Sequence, residues 1–165
     1  AMLLEIAVSR QKLIGRPRAD ISPRDVAKLE KRVRADTVAG VIPNLPIVKN
    51  DTDPSITYSG SWSHHSVPGC YASDETFTAR NNDHAVIAFE GTSISIISRV
   101  HPQFGTFKVY IDGELDADVD TYAAGPDDQK RVYTKTGLSN AAHTLKIVKT
   151  SGPWIGIDGY EINSE

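Results

Sequence analysis

The stretch from His84 to Tyr122 constrains this chain more than any other. Ala85, Ile87 and Phe89 alternate with His84, Val86 and Ala88, the period of a strand with one buried face. Glu90-Gly91-Thr92 breaks the run, and Ile94, Ile96 and a further apolar Ile97 resume it. Phe107, Val109 and Ile111 then alternate with Lys108, Tyr110 and Asp112. Asp112-Gly113 marks a two-residue hairpin, because both central positions of that turn need positive φ. An unbroken register would carry Leu115, Ala117 and Val119 inward on the returning strand. Four successive strands of this kind require a hairpin-rich antiparallel core.

The pattern continues on both sides. Strands are expected at 56–62, 74–80, 84–90, 93–99, 106–112, 115–122, 129–135, 142–149 and 155–162. Turn residues separate them: Val67-Pro68-Gly69, Asn81-Asn82-Asp83, His101-Pro102-Gln103, Gly125 to Asp128, Gly137, Ser139-Asn140 and Ser151-Gly152-Pro153. Short strands with no helical period between them predict an all-β fold, a two-sheet antiparallel β-sandwich over residues 51–165. Ile155, Ile157 and Ile162 read as core, as does Trp62 at the end of the first strand.

Residues 1–50 differ in charge. They hold ten Lys and Arg against five Asp and Glu, whereas residues 51–165 hold eight against sixteen. Leu3 to Ile14 is apolar-rich and stops at Gly15-Arg16-Pro17. Ser22-Pro23 then starts a helix, with Ser22 as cap and Asp25 in the first turn, and Gly40 ends it. Val26, Leu29 and Val33 form its narrow apolar stripe. The stripe either packs against a neighbouring surface or forms the seam of a short coiled coil, which would make the chain a homo-oligomer. The basic residues around it are what any solvated helix shows, and the acidic larger part argues against nucleic acid as a partner. Val41 to Pro54, with Pro43, Pro46 and Pro54, reads as an extended linker.

No apolar run approaches membrane-spanning length, and Ala1-Met2 reads as an expression scar with no signal peptide behind it. Cys70 is the single cysteine, which excludes an internal disulfide and any cysteine-based metal site; it reads as a small buried hydrophobe.

Catalytic signals are sparse. Ser61, Ser63, His64 and His65 could be drawn with an aspartate as a hydrolase triad, but Gly-x-Ser-x-Gly is missing, as is a strand-to-helix turn to present it. His64 and His65, adjacent on a strand, would point to opposite faces and not share one ion. Asp112, Glu114, Asp116, Asp118 and Asp120 occupy every even position of the hairpin arm. Three readings stand: a solvated face relieved by Lys108 or Lys146, a calcium ion held by Asp116, Asp118 and Asp120, or a cationic partner such as the basic N-terminal segment. An EF-hand is excluded, since Thr121 stands where that loop requires glycine.

Tyr58-Ser59-Gly60-Ser61-Trp62, Tyr71, the Ala85 to Ile94 run, Val109-x-Ile111-Asp112-Gly113, Gly137-Leu138, His143-Thr144-Leu145-x-Ile147 and Ile157-Asp158-Gly159-Tyr160-x-Ile162 follow one another in this order. Over about residues 56–163 the chain thereby resembles galactose-binding-like jelly-roll domains. Such domains are similar to the non-catalytic carbohydrate-binding modules that accompany glycoside hydrolases and lipase-like esterases, and related ones cap phage tail proteins. The resemblance implies a jelly roll that binds and does not catalyse. It also implies a structural calcium joining acidic residues of the first strand to an aspartate of the last; Asp158 matches the latter, while Ile56, Thr57 and Tyr58 supply no carboxylate.

A glycan site needs an exposed aromatic ring for the apolar face of a pyranose, flanked by hydrogen-bonding side chains. Trp154 sits in a loop where no core period demands it. His64, His65 and Tyr71 follow the first strand, and Arg80, Asn81, Asn82 and Asp83 form a polar turn. The expected function is glycan binding, ancillary to an enzyme or receptor-binding on a phage tail fibre, in an extracellular or virion-associated setting. The rival reading is a structural or oligomerisation sandwich whose exposed aromatics make protein contacts; an esterase stands third.

Overall fold

The computed structural model describes residues 46–164. The helix expected between Ser22 and Gly40, and the coiled-coil seam and oligomer built on it, lie outside the described residues. What is described is all β apart from one turn of 3-10 helix at Tyr71–Ser73, in twelve strands. These are β1 (Ile47–Asn50), β2 (Ile56–Ser59), β3 (Ser63–Ser66), β4 (Asp74–Thr78), β5 (His84–Gly91), β6 (Ser93–Val100), β7 (Thr106–Ile111), β8 (Glu114–Asp120), β9 (Asp127–Lys135), β10 (Ala141–Ser151), β11 (Ile155–Ile157) and β12 (Gly159–Asn163).

All strand pairs are antiparallel. One sheet runs β1-β12-β6-β9, the facing sheet runs β2-β5-β10-β7-β8, and a small third sheet, β11-β4-β3, closes one end. Between the two large sheets, Ala85, Ile87, Ile94, Ile96, Val109, Leu145, Ile147, Ile155 and Tyr160 have no exposed surface. Burying an aliphatic side chain of this size contributes about 1.5–3 kcal/mol, so the alternation seen in β5, β7 and β10 specifies register as well as stability.

The hairpin at Asp112-Gly113 forms as expected, with φ of 51° and 90°. The arm after it does not keep its register. Val109 pairs with Ala117 but Tyr110 pairs with Leu115, so Asp116 is the extra residue of a bulge. Leu115 consequently lies 51% exposed, while Val119 beyond the bulge is buried. Two strands arise where none was expected. β1 lies in the stretch read as a proline-containing linker and pairs with β12 along the sheet edge. β3, Ser63 to Ser66, is exposed at every residue and pairs only with β4. Trp62 is half-buried against Tyr58, with ring centroids 4.9 Å apart. Cys70 is buried, and burial raises its thiol pKa well above the ordinary range.

Candidate functional site

β4 organises the chemistry, because its two faces carry different side chains. Phe77 and Glu75 lie on one face, Asp74 and Thr76 on the other. β4 is paired on one side with β3, His65 opposite Glu75 and His64 opposite Thr76, and on the other with β11, Gly156 opposite Phe77.

On the first face an aromatic row forms. His65 stacks on Phe77 at 4.8 Å with 26° between the rings, and Trp154 meets Phe77 edge-on at 5.1 Å and 86°. Trp154 is 36% exposed. Beside it Phe77, Arg99, His101, Gln103, Phe104 and Trp154 line a pocket of about 260 Å³. The Gln103 N–H donates to His101 Nδ1 (3.1 Å), which puts the His101 ring proton on Nε2. The Arg99 guanidinium lies 5.5 Å over the Phe104 ring, and its Nη2 pairs with Glu75 at 3.1 Å. Glu75 is fully buried; burial raises its pKa and Arg99 opposes that rise.

The Trp154 loop is held from below. Gly105 N–H donates to the Trp154 carbonyl (2.7 Å) and Trp154 N–H to the Gln103 carbonyl (3.2 Å). A Cβ on Gly105 would come within 2.1 Å of the Ser151 carbonyl oxygen, so only glycine lets the two loops touch. Lys149 has no exposed surface, and its ammonium donates to the Gly152 carbonyl (2.6 Å), Asn81 Oδ1 (2.7 Å) and the Ser151 carbonyl (3.1 Å). Burial lowers the Lys149 pKa, and Asp83 counteracts this.

The candidates named from sequence are therefore distributed. Trp154 and His65 come together through Phe77. His64 points to the opposite face of the small sheet. Tyr71 lies in the 3-10 turn, its N–H donating to Asp158 Oδ1 (2.7 Å). In the polar turn, Arg80 is exposed at the tip, Asn82 N–H donates to the Lys149 carbonyl (2.9 Å) and Asp83 is buried, accepting from Ser61 N–H (2.8 Å) and Thr78 Oγ1 (2.6 Å). Asn81 and Asp83 thus brace Lys149 and, through it, the Trp154 loop. Asp116, Asp118 and Asp120 do not converge: Asp116 accepts from Lys135 and from Tyr133 (2.6 Å), Asp118 pairs with Lys108 (3.2 Å), and Asp120 accepts from Tyr122 N–H (2.8 Å).

The calcium implied by the resemblance calls for Asp158 and first-strand carboxylates. Asp158 is fully buried with its Oδ2 unpartnered, and burial pushes its pKa up to about 8, with Glu75, Asp51 and Asp74 adding like charge. Ile56, Thr57 and Tyr58 form β2 and bring no carboxylate, but the first described strand is β1, and the buried Asp51 at its end lies close enough to act on Asp158 as a like charge.

A second, wider cleft of about 670 Å³ lies between β1, β12, β5 and β10; its lining includes Lys49, Phe89, Glu90, Asp112, His143 and Tyr160. His143 Nδ1 is 2.7 Å from Asp112 Oδ2, and Nε2 lies 3.0 Å from the Ser139 carbonyl and 3.3 Å from Ser139 Oγ. Both ring nitrogens face acceptors, which favours the imidazolium and raises the His143 pKa, chiefly through Asp112. The Ser139–His143–Asp112 contact thus ties the segment before β10 to the hairpin between β7 and β8. The stabilisation from a raised His143 pKa is complete below its ordinary value of roughly 6.5 and lost as pH rises through the folded value; that from the lowered Asp112 pKa is present above roughly 4 and lost on acidification. An NMR titration should accordingly place His143 above the ordinary histidine range in wild type and return it to that range in Asp112→Asn. Equal values in the two proteins would contradict the pairing.

No family model matches the chain. Two relatives from Flavonifractor plautii align with it: an A type blood alpha-D-galactosamine galactosaminidase, 29% identical over 96 residues (58% of this chain, 9% of that protein), and an A type blood N-acetyl-alpha-D-galactosamine deacetylase, 28% identical over 116 residues (70% and 15%). The chain thus spans only a small part of either relative's length. Among solved structures, the CBM36-1 domain of a multidomain xylanase from the hindgut metagenome of Trinervitermes trinervoides superposes with a TM-score of 0.53 at 16% identity, covering 73% of this chain and 98% of that domain. The fold is that of an antiparallel jelly roll, shared with that domain. In this jelly roll the aromatic row and its pocket sit on the small end sheet, and no helix among the described residues is long and apolar enough to cross a membrane.

Proposed function

We propose that this chain is the non-catalytic glycan-binding module of a larger, extracellular carbohydrate-active enzyme. The observation that carries the reading is the Trp154–Phe77–His65 row beside the pocket lined by Arg99, His101 and Gln103. A half-exposed indole offers a flat apolar face for a pyranose ring, and His101 Nε2–H and the Gln103 amide offer hydrogen bonds to hydroxyls at its rim. A pocket of about 260 Å³ is smaller than those that enclose drug-sized ligands, which suits one terminal sugar residue rather than the length of a chain. The two aligned relatives are enzymes on galactosamine-type sugars, and this favours a role beside an enzyme over one on a tail fibre.

A glycan array tests this directly. Glycans ending in galactosamine or N-acetylgalactosamine belong on it, beside mannan, xylan and cellulose fragments. The expected result is retention of a set sharing one terminal residue, competed by that sugar in solution; retention of no glycan would count against the reading.

A further inference from the structure

The opposite face of β4 holds a second constellation. Asp51 follows β1, His64 lies on β3 and Asp74 opens β4, and a potential ligand atom from each comes within 4.8 Å of the others. Their chain separation conceals the grouping, which forms because β3 pairs with β4 in a register that sets His64 beside Thr76. We infer that Asp51, His64 and Asp74 bind a divalent transition metal ion of the zinc type.

Three observations support this. The span leaves room for an ion: one ring nitrogen of His64 and one oxygen each of Asp51 and Asp74 lie within 4.8 Å of one another, and His64 Nδ1 is 3.0 Å from Asp51 Oδ2. Ligands about 2.0–2.2 Å from a tetrahedral zinc stand about 3.4 Å from one another, so the set closes on an ion when the half-exposed imidazole turns one ring nitrogen toward both carboxylates. Second, Asp51 has no exposed surface, and its Oδ1 lacks any hydrogen-bond partner, as does the buried Oδ1 of Asn50 next to it. A wholly buried carboxylate with one orphaned oxygen is costly unless a cation takes it up. Third, the surroundings are short of positive charge. Asp51, Asp74 and Asp158 act on one another as like charges, and Arg99 is engaged by Glu75 on the other face.

The remaining contacts are those that orient ligands. Thr76 Oγ1 donates to Asp51 Oδ2 (2.5 Å), and Asn50 Nδ2 donates to Asp74 Oδ1 (3.2 Å). The His64 side chain is 44% exposed, which leaves an entry path and room for a water as fourth ligand. An imidazole nitrogen in the set favours zinc, nickel or copper over calcium and magnesium, which take oxygen ligands. The ion would also join β1, β3 and β4, fixing the exposed edge strand that carries His65.

The test uses the full chain stripped with chelator, then titrated with zinc or calcium chloride while thermal unfolding and calorimetric stoichiometry are followed. Zinc at about 100 times its Kd should raise Tm by roughly 5 °C or more, with one ion per chain, and calcium should not. His64→Gln removes a half-exposed side chain, so it should melt near the metal-free wild type and lose the zinc response. No zinc response, or a zinc shift of equal size in His64→Gln, would overturn the assignment, the latter marking an adventitious ion only. A calcium-specific rise that survives His64→Gln and is lost in Asp158→Asn would also overturn it, moving the ion to an all-oxygen site at Asp158.

Discussion

Replacing Lys149 by methionine should destabilise the sandwich by about 3 kcal/mol, the largest loss expected from any side chain near the candidate site. Methionine matches the stem in length and keeps its packing, so the effect isolates the ammonium. Three acceptors then lose their donor: Asn81 Oδ1 and the carbonyls of Ser151 and Gly152. Water reaches some of them, since Asn81 and Gly152 are exposed, which keeps the loss below the sum of three orphaned groups. A Tm reduction of about 10 °C with an unchanged denaturant m-value is the expected result. An unchanged Tm would show that the ammonium is not needed to hold the loop. Because those two carbonyls lead directly into Trp154, glycan affinity should fall as well, although Lys149 reaches no ligand.

Most of the sandwich was legible because its strands have one wet face. β5, β7 and β10 alternate cleanly and were placed almost to the residue. β3 was not, since Ser63-His64-His65-Ser66 is an edge strand exposed throughout and so carries no apolar period. β1 was missed because it is four residues long in a proline-containing stretch and gains its stability from β12, more than a hundred residues away. The bulge at Asp116 left no sign in the alternation and turned Leu115 outward.

The candidate site was half legible. Trp154 and His65 stood out as an aromatic ring in a loop and a polar ring on a short segment. Phe77 lay unremarked inside an expected strand, Arg99 at a strand end and His101 and Gln103 in a turn, because what gathers them is the β11–β4 pairing and the Phe104–Trp154 bridge. Lys149 carried a usable signal: Leu145 and Ile147 face inward, so period two places Lys149 inward too, and an inward lysine must find acceptors. Asp51 carried none, since its neighbours His64 and Asp74 are fixed only by tertiary pairing.

Trp154→Ala should lower glycan affinity tenfold or more, equivalent to about 1.4 kcal/mol or above, since the stacking face disappears while the polar rim of His101 and Gln103 stays. Its stability cost should be smaller than that of Lys149→Met, about 1–2 kcal/mol, because the ring is 36% exposed and its aromatic partner Phe77 is itself only half-buried. Affinity lost with the fold retained separates a binding ring from a packing ring.

The chain has two tryptophans, which permits a direct reading of the site without altering the protein. Trp62 Nε1–H is engaged by the Ser59 carbonyl (3.2 Å) and its ring packs on Tyr58, outside the pocket lining, whereas Trp154 borders the pocket. An NMR titration of the labelled chain with the glycan selected on the array should shift the Trp154 indole resonance, identified by its loss in Trp154→Ala, and leave that of Trp62 in place. Saturable movement of the Trp154 resonance alone is the predicted result; binding that leaves Trp154 unmoved, or that moves only Trp62, would contradict a glycan site on this face.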